Sequence, residues 1–332
     1  MRTNISAMCI LALCSHFSSR FPFFMIHNRD EFVSRGTAPI AVERIPDIEE
    51  SILWSRDTST PNGGSWMGLS LGGRFCALTN CRRSPVPVLP EAEIHRRLCR
   101  EASTGRLQFV PDASRGIVVR DYLRSGEIAQ VPQNPTLDGF NLVSADLRRL
   151  ARDTTAPVEY TTNRGQLHYR VPLEPGAIHA MGNAFMDDFA EPKTERLRDL
   201  VSTAMSGVGP DVPLESVMEA LALCLCARPN VEVRDMDLLA ASQPFLGLSD
   251  VFKRTYFPND PPQSFLGSWD VDVERELQRH IYTVISAGYR TRTQTLVVVE
   301  RSGASGPCVH YWTRGTRSPD DHDDWVKFKI PL

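Results

Sequence analysis

The stretch "FPFFMIHNRDEFVSR", residues 21–35, sets the frame for the whole chain. Its apolar run, Phe21–Ile26, ends abruptly in Asn28, Arg29, Asp30 and Glu31. A short apolar run bounded by polar residues reads as a buried strand. The polar quartet after it has two readings. Either the strand surfaces there and Arg29 and Asp30 are solvated, or the strand delivers Arg29 and Asp30 to a site.

Working outward, residues 6–14 are also short, apolar and β-compatible, and "SHFSSR", residues 15–20, is a connector of hairpin length. Downstream, "GGSWMGLSLGGRFCALTNCR" places strand-like Trp66–Leu71 and Arg74–Thr79 on either side of Gly72-Gly73, a strong turn signal. The first 80 residues thus read as two antiparallel hairpins, with 36–62 as a variable connection between them. Residues 1–29 contain no Asp or Glu and carry Arg2, Arg20 and Arg29. That composition resembles a transit peptide or a poor signal peptide, but the same residues make two good strands, which is the preferred reading.

The middle changes character. Pro85, Pro87 and Pro90 introduce "EAEIHRRLCREA", read as a helix starting near Pro90. "ASRGIVVRDYLRS" is a second helix, Gly139–Leu147 a strand, and "PVEYTTNRGQLHYRV" a hairpin turning at Asn163-Arg164-Gly165. "GAIHAMGNAF" is a strand ending in Gly182 and Asn183. "KTERLRDLVSTAM" and "LESVMEALALCLCA" are helical; the second has apolar residues at 217, 218, 221 and 225, close to a 3.6 period. Residues 229–275, rich in Pro, Asp and Ser, read as irregular. "TRTQTLVVVERSG", "PCVHYWTR" and "WVKFKIPL" are three closing strands, the last two separated by the acidic turn "SPDDHDDW". Strands at both ends with helices between predict an α+β sandwich of sheets covered by helices.

Of the 332 residues, 42% are apolar, enough for a sizeable core, and the net charge is −3. No basic stripe supports nucleic-acid binding. No apolar run has the length of a membrane span, so no transmembrane segment is expected. Eight cysteines stand at positions 9, 14, 76, 81, 99, 224, 226 and 308, with no CxxC pair and no zinc-ligand spacing. They suit a reduced compartment, acting mostly as small core hydrophobes. No metal site is expected.

Several strands carry a reactive or hydrogen-bonding residue, mostly at one end: Cys9, Arg29, Asp30, Asn80, Asn183 and Arg292. Converging on one edge of a sandwich, they have a coherent chemistry. A cysteine is a nucleophile when its thiolate is stabilised, as a nearby Arg29 would do. Asp30 can accept from an amine, Asn80 and Asn183 can donate to an oxyanion, and Arg292 can hold an anionic group. Each also has a plain structural reading: asparagines as turn residues, Cys9 as packing, Arg292 as a solvated edge residue.

The ordered set "MCIL", "HNRDEFVSR", "GGSWMGLSLGGRFCALTN", "GFNLVSADL", "MGNAF" and "GYRTRTQTLVVV" resembles the NRDE family, also called the transport and Golgi organization protein 2 family. Its defining element is here Asn28-Arg29-Asp30-Glu31. The resemblance implies an N-terminal-nucleophile-hydrolase-like fold, a four-layer αββα sandwich, over 8–332 as a single domain, with 1–7 as an N-terminal extension. It implies that Cys9 matches the cysteine directly after the family's initial methionine. In related cysteine acylases such a residue attacks an amide with its own α-amine as base, and Arg29, Asp30, Asn80, Asn183 and Arg292 sit where those enzymes keep supporting groups. For the family itself it implies cellular roles: haem trafficking, lipid and acyl-CoA homeostasis, and Golgi organisation with protein secretion. The expected setting is the cytoplasm, with mitochondrial or Golgi association, and the expected partner is a small molecule, haem or an acyl lipid. Haem propionates would meet Arg29 and Arg292. Two departures stand out. Residues 1–7 precede Met8-Cys9, so Cys9 has no free α-amine if translation starts at Met1 and nothing is removed, whereas a start at Met8 with methionine removal would expose it. His27 occupies a position where the family has a small residue, and reads either as a haem ligand or as structural. The alternative function is a cysteine N-terminal-nucleophile amidohydrolase acting on a linear amide or acyl conjugate.

Overall fold

A computed structural model describes residues 9–33, 35–44, 50–59, 64–81, 115–128, 139–163, 170–188, 191–227, 281–286, 289–302, 306–317 and 321–332. The helix expected near Pro90 and the irregular stretch 229–275 lie outside them, as do Arg164 and Gly165 of the expected turn.

The first hairpin forms as expected, from β1 (Ile10–Ser15) and β2 (Phe23–Phe32), in the register Ile10↔Asn28 to Ser15↔Phe23. Residues 10–15 and 23–32 are therefore core strands. β2 does not end at the polar quartet, because a later strand continues its ladder. β3 (Ala41–Glu43) and β4 (Ile52–Trp54) come next, then β5 (Met67–Ser70) and β6 (Arg74–Asn80) around the expected glycine turn. There Gly73 has φ +103°, and its N–H donates to the Ser70 carbonyl. That conformation strains any residue with a Cβ. β3 and β4 fall in the stretch read as a connection; three residues are too few to show a strand's alternation.

Helix α1 (Gly116–Ser125) stops at Gly126, whose left-handed backbone lets its N–H cap the Tyr122 carbonyl. β7 (Phe140–Asp146), the short α2 (Leu147–Leu150), β8 (Val158–Thr162), β9 (Val171–Pro172) and β10 (Ile178–Met181) follow. α3 (Pro192–Met205) begins with proline, whose missing N–H costs nothing at a helix start. α4 (Leu214–Leu225), β11 (Val284–Ser286), β12 (Tyr289–Ser302), β13 (Gly306–Gly315) and β14 (Val326–Pro331) complete the described elements.

The strands form two seven-stranded sheets. One runs β10-β1-β2-β12-β13-β14, with β11 on β12; the other is the meander β3 to β9 in sequence order. Their facing sides share one core, in which Leu11, Met25 and Val297 meet Leu69, Phe75 and Val143. Phe23 and Phe75 stack edge to face across it, ring centres 5.7 Å apart. On the outer face of the first sheet, α3 and α4 bury Leu197, Val201, Val217 and Leu221 against Ile26, Leu296 and Val298. The 217/218/221/225 stripe is buried as expected. Each such side chain contributes roughly 1.5–3 kcal/mol when fully removed from water. On the outer face of the second sheet, α1 buries Val118, Val119 and Leu123 against Trp54, Leu78 and Leu142. A Cβ on Gly68 would stand 2.6 Å from Leu123, so this glycine sets how closely α1 can approach β5. The result is the four-layer αββα sandwich expected from the resemblance. The seven described cysteines are free thiols, all buried except the half-buried Cys226.

Candidate functional site

β2 alternates faces with period two. Met25 belongs to the core between the sheets and Ile26 to the core under the helices. Arg29 therefore faces the opposite sheet, while Asp30 faces the helices. The sequence reading aimed both at one cleft; the pleat sends them apart.

Arg29 reaches a small cleft of about 70 Å³ between the sheets, lined also by Cys9, Glu31, Arg35, Asp57 and Trp66. Asn80 and Arg115 also line it. The Arg29 guanidinium lies over the Trp66 ring, 4.0 Å from its centre. It donates to Thr37 Oγ1 at 3.1 Å and pairs with Glu31 Oε2 at 3.5 Å. Arg35 bridges Glu31 at 3.5 Å and Asp57 Oδ2 at 2.6 Å. Arg35, Asp57, Trp66 and Arg115 were missed by the sequence reading. Trp66, in "GGSW" directly before a strand, was the one with a visible signal.

Cys9 lines the cleft but is only 5% exposed. Burial pushes its thiol up to about 12, and the nearby Asp30 carboxylate adds to that. Arg29 acts in the expected direction, lowering it, but is outweighed. The expectation that Arg29 makes Cys9 a ready thiolate is thus corrected: desolvation wins. In this chain the Cys9 nitrogen is bonded to Met8.

Asp30 is fully buried on the other side of β2. The hydroxyls of Thr283 and Thr291 donate to its two oxygens at 2.8 and 2.6 Å. Burial raises its carboxyl to about 6, against the opposing pull of Lys193, Thr291 and Thr283. Lys193, at the start of α3, is itself fully buried.

Asn183 joins the sheets. Its amide donates to the Asn80 carbonyl at 2.8 Å. On either side of it, the Gly182 carbonyl accepts from Thr79 Oγ1 at 2.8 Å and the Ala184 carbonyl from Asn141 Nδ2 at 2.6 Å. "MGNAF" is thus a clamp that pins the end of β10 onto β6 and β7. Arg292 occupies an irregularity of β12, where Thr291 pairs with Asp30 and Thr293 with Arg29, leaving Arg292 as the extra residue. Its guanidinium donates to the Arg35 carbonyl at 2.5 Å, beside the cleft rather than in it. Of the six expected residues, Cys9, Arg29 and Asn80 share the cleft; Asn183 bonds to the Asn80 carbonyl and Arg292 to the Arg35 carbonyl beside it, and Asp30 lies on the other side of β2.

His27 is fully buried on the inter-sheet side of β2, and neither ring nitrogen has a hydrogen-bond partner among the described residues. Burial and Arg29 lower its pKa to about 3. It is a neutral core residue with no open face for an iron, which decides for the structural reading.

Fold and site together define an αββα sandwich with a cysteine and an arginine at a cleft between its sheets. The Transport and Golgi organisation 2 family matches residues 8–309, and the chain belongs to that family. Two solved structures of conjugated bile acid hydrolase from Clostridium perfringens, a cysteine-to-alanine mutant and an arginine-to-leucine variant, are each 10% identical to it. The first covers 98% of this chain and 92% of its own, with a TM-score of 0.41; the second covers 98% of both, with 0.39. Similarity this weak transfers no residue role. Among curated proteins none matches the chain. No helix among the described residues is long and apolar enough to cross a membrane.

Proposed function

We propose that the protein is a carrier of an anionic amphipath, haem or an acyl lipid such as an acyl-CoA, acting in the cytoplasm and at mitochondria or the Golgi, in support of Golgi organisation and secretion. Membership of the Transport and Golgi organisation 2 family, over residues 8–309, is the observation that carries this reading. The cleft fits it in one respect. Arg29, Arg35 and Arg115 line it and Arg292 adjoins it, against the carboxylates of Glu31 and Asp57. Such a balance favours an anionic group. At about 70 Å³ the cleft is far below the roughly 300–1,000 Å³ of sites that enclose a whole ligand. It would take a carboxylate or phosphate end and leave the apolar body outside, which suits a ligand that must be handed on.

Haem titration followed by Soret absorbance tests this. Saturation in the micromolar range, roughly −8 kcal/mol, is expected. Binding should weaken in Arg292→Gln, provided the variant melts like wild type. No saturable change with haem, and none with an acyl-CoA by calorimetry, would remove the carrier reading.

The second reading, a cysteine amidohydrolase on a linear amide or acyl conjugate, rests on Cys9 lining the same cleft. Its base would be a free Cys9 amine, so intact mass of the protein from its native source separates the two. A mature chain starting at Cys9 supports hydrolysis.

A further inference from the structure

At the other end of the first sheet, on the helix-facing side, three metal-binding side chains converge. Glu300 on β12 and Cys308 on β13 are direct cross-strand partners, and His310 lies two residues beyond Cys308, on the same face. All three are at least nine-tenths buried. Cys308 Sγ is 3.3 Å from His310 Nε2, and Glu300 Oε2 is 3.0 Å from that same nitrogen. The three donor atoms all lie within 4.8 Å of one another.

We propose that Glu300, Cys308 and His310 form a binding site for a zinc-class divalent cation, with its fourth position open to the adjoining cleft.

The geometry favours a cation over the alternatives. An imidazole nitrogen carries either one hydrogen or one lone pair, so Nε2 cannot hydrogen-bond to the Cys308 sulfur and the Glu300 carboxylate at full strength together. A cysteine–histidine–acid relay uses the two different ring nitrogens; here both partners crowd onto one. Three donors gathered about one point are what a tetrahedral zinc needs, with bonds of about 2.0–2.3 Å that hold ligand atoms about 3.4–3.6 Å apart. The two spacings to Nε2 differ from that by a few tenths of an ångström, and the third, between Cys308 Sγ and Glu300 Oε2, is at most 4.8 Å and closes on the bound cation.

The surroundings also fit. Arg20 donates to Glu300 Oε1 through Nε at 3.1 Å and Nη2 at 2.8 Å, leaving Oε2 for the cation. Arg20 is fixed in turn by the Pro210 and Val212 carbonyls. Such outer partners orient the ligands of metal sites. The cleft beyond is lined by Leu214, Glu215, Trp312, Lys327 and Lys329. Lys329 pairs with His310 across the ladder and lowers the site's affinity for a cation, but with Lys327 it favours an anionic oxygen at the open position. The sequence could not show this site: the ligands do not share one strand, and a single Cys-x-His has no zinc-finger spacing.

Cobalt titration of the full-length, metal-stripped protein tests the proposal. One equivalent should bind with a thiolate-to-cobalt charge-transfer band, and zinc should displace it. The band should vanish in Cys308→Ser and weaken at least tenfold in affinity in Glu300→Gln, while Cys226→Ser leaves it intact. No band in wild type, or a band indifferent to Cys308, overturns the site. Should either variant fold poorly, X-ray absorption of the zinc-loaded wild type decides: one sulfur at about 2.3 Å with nitrogen and oxygen neighbours supports it, and a shell without sulfur overturns it.

Discussion

The Arg29 guanidinium, on β2 of one sheet, lies over the ring of Trp66, which precedes β5 of the other, at 4.0 Å from the ring centre. This contact crosses the sandwich in the lining of the Cys9 cleft and holds a charge that is 3% exposed.

Arg29→Ala should cost about 3–5 kcal/mol, because it removes one of the two guanidinium groups paired at 3.5 Å with the Glu31 carboxylate, itself 3% exposed. Trp66→Leu should cost less, keeping the ion pair but losing the ring face. Urea unfolding of both variants measures this; equal stability of Arg29→Ala and wild type would contradict the buried placement.

Asp30→Ala should destabilise by on the order of 3 kcal/mol, since it strips two buried threonine hydroxyls of their acceptor and removes a buried carboxylate that interacts with the buried Lys193. A melting temperature equal to wild type would count against it.

Asp30 and His27 should pull the pH dependence of stability in opposite directions. Asp30 titrates near 6 when folded and near 3.8 when unfolded, so its contribution falls as pH rises from about 4 to about 6. His27 titrates near 3 when folded and 6.5 when unfolded, so its contribution falls as pH drops through that range. Each slope is at most about 1.4 kcal/mol per pH unit. Relative to wild type, Asp30→Asn should lose stability more steeply on acidification, and His27→Leu less steeply. Unfolding free energies at several pH values between 4 and 6.5 check both signs.

Among the seven described thiols, Cys226 should alkylate first. It alone is half-buried rather than buried, and Arg314 Nη2 stands 3.4 Å from its sulfur. Cys9, raised to about 12, should label slowly. Brief iodoacetamide treatment with peptide mapping reads this out, and preferential labelling of Cys9 would restore it as a primed nucleophile.

Much of the fold was legible in the sequence because periodicity and turn chemistry agreed. Gly72-Gly73 marked its hairpin, and the stripe at 217, 218, 221 and 225 marked its helix. Two things were not legible. Three-residue strands such as Ala41–Glu43 are too short to show a period. The extent of β2 depended on a partner far away: Asn28–Phe32 are strand because residues 289–294 pair with them, a fact absent from the local pattern. The site failed in the same way. Naming Arg29 and Asp30 together ignored that neighbours on a strand face apart, and charge next to Cys9 was visible where burial was not. Burial then outweighed charge.

The pairing of β2 with β12 also has a consequence for synthesis. Residues 23–32 must wait for residues 289–302 before their second edge is covered. At about 5–20 residues per second, a ribosome leaves that apolar hairpin half-dressed for roughly 10–50 s. The nascent chain is then an open-edged intermediate, the kind that invites chaperone capture or strand-to-strand aggregation. Truncation before residue 289 should therefore yield insoluble protein, not a smaller folded one.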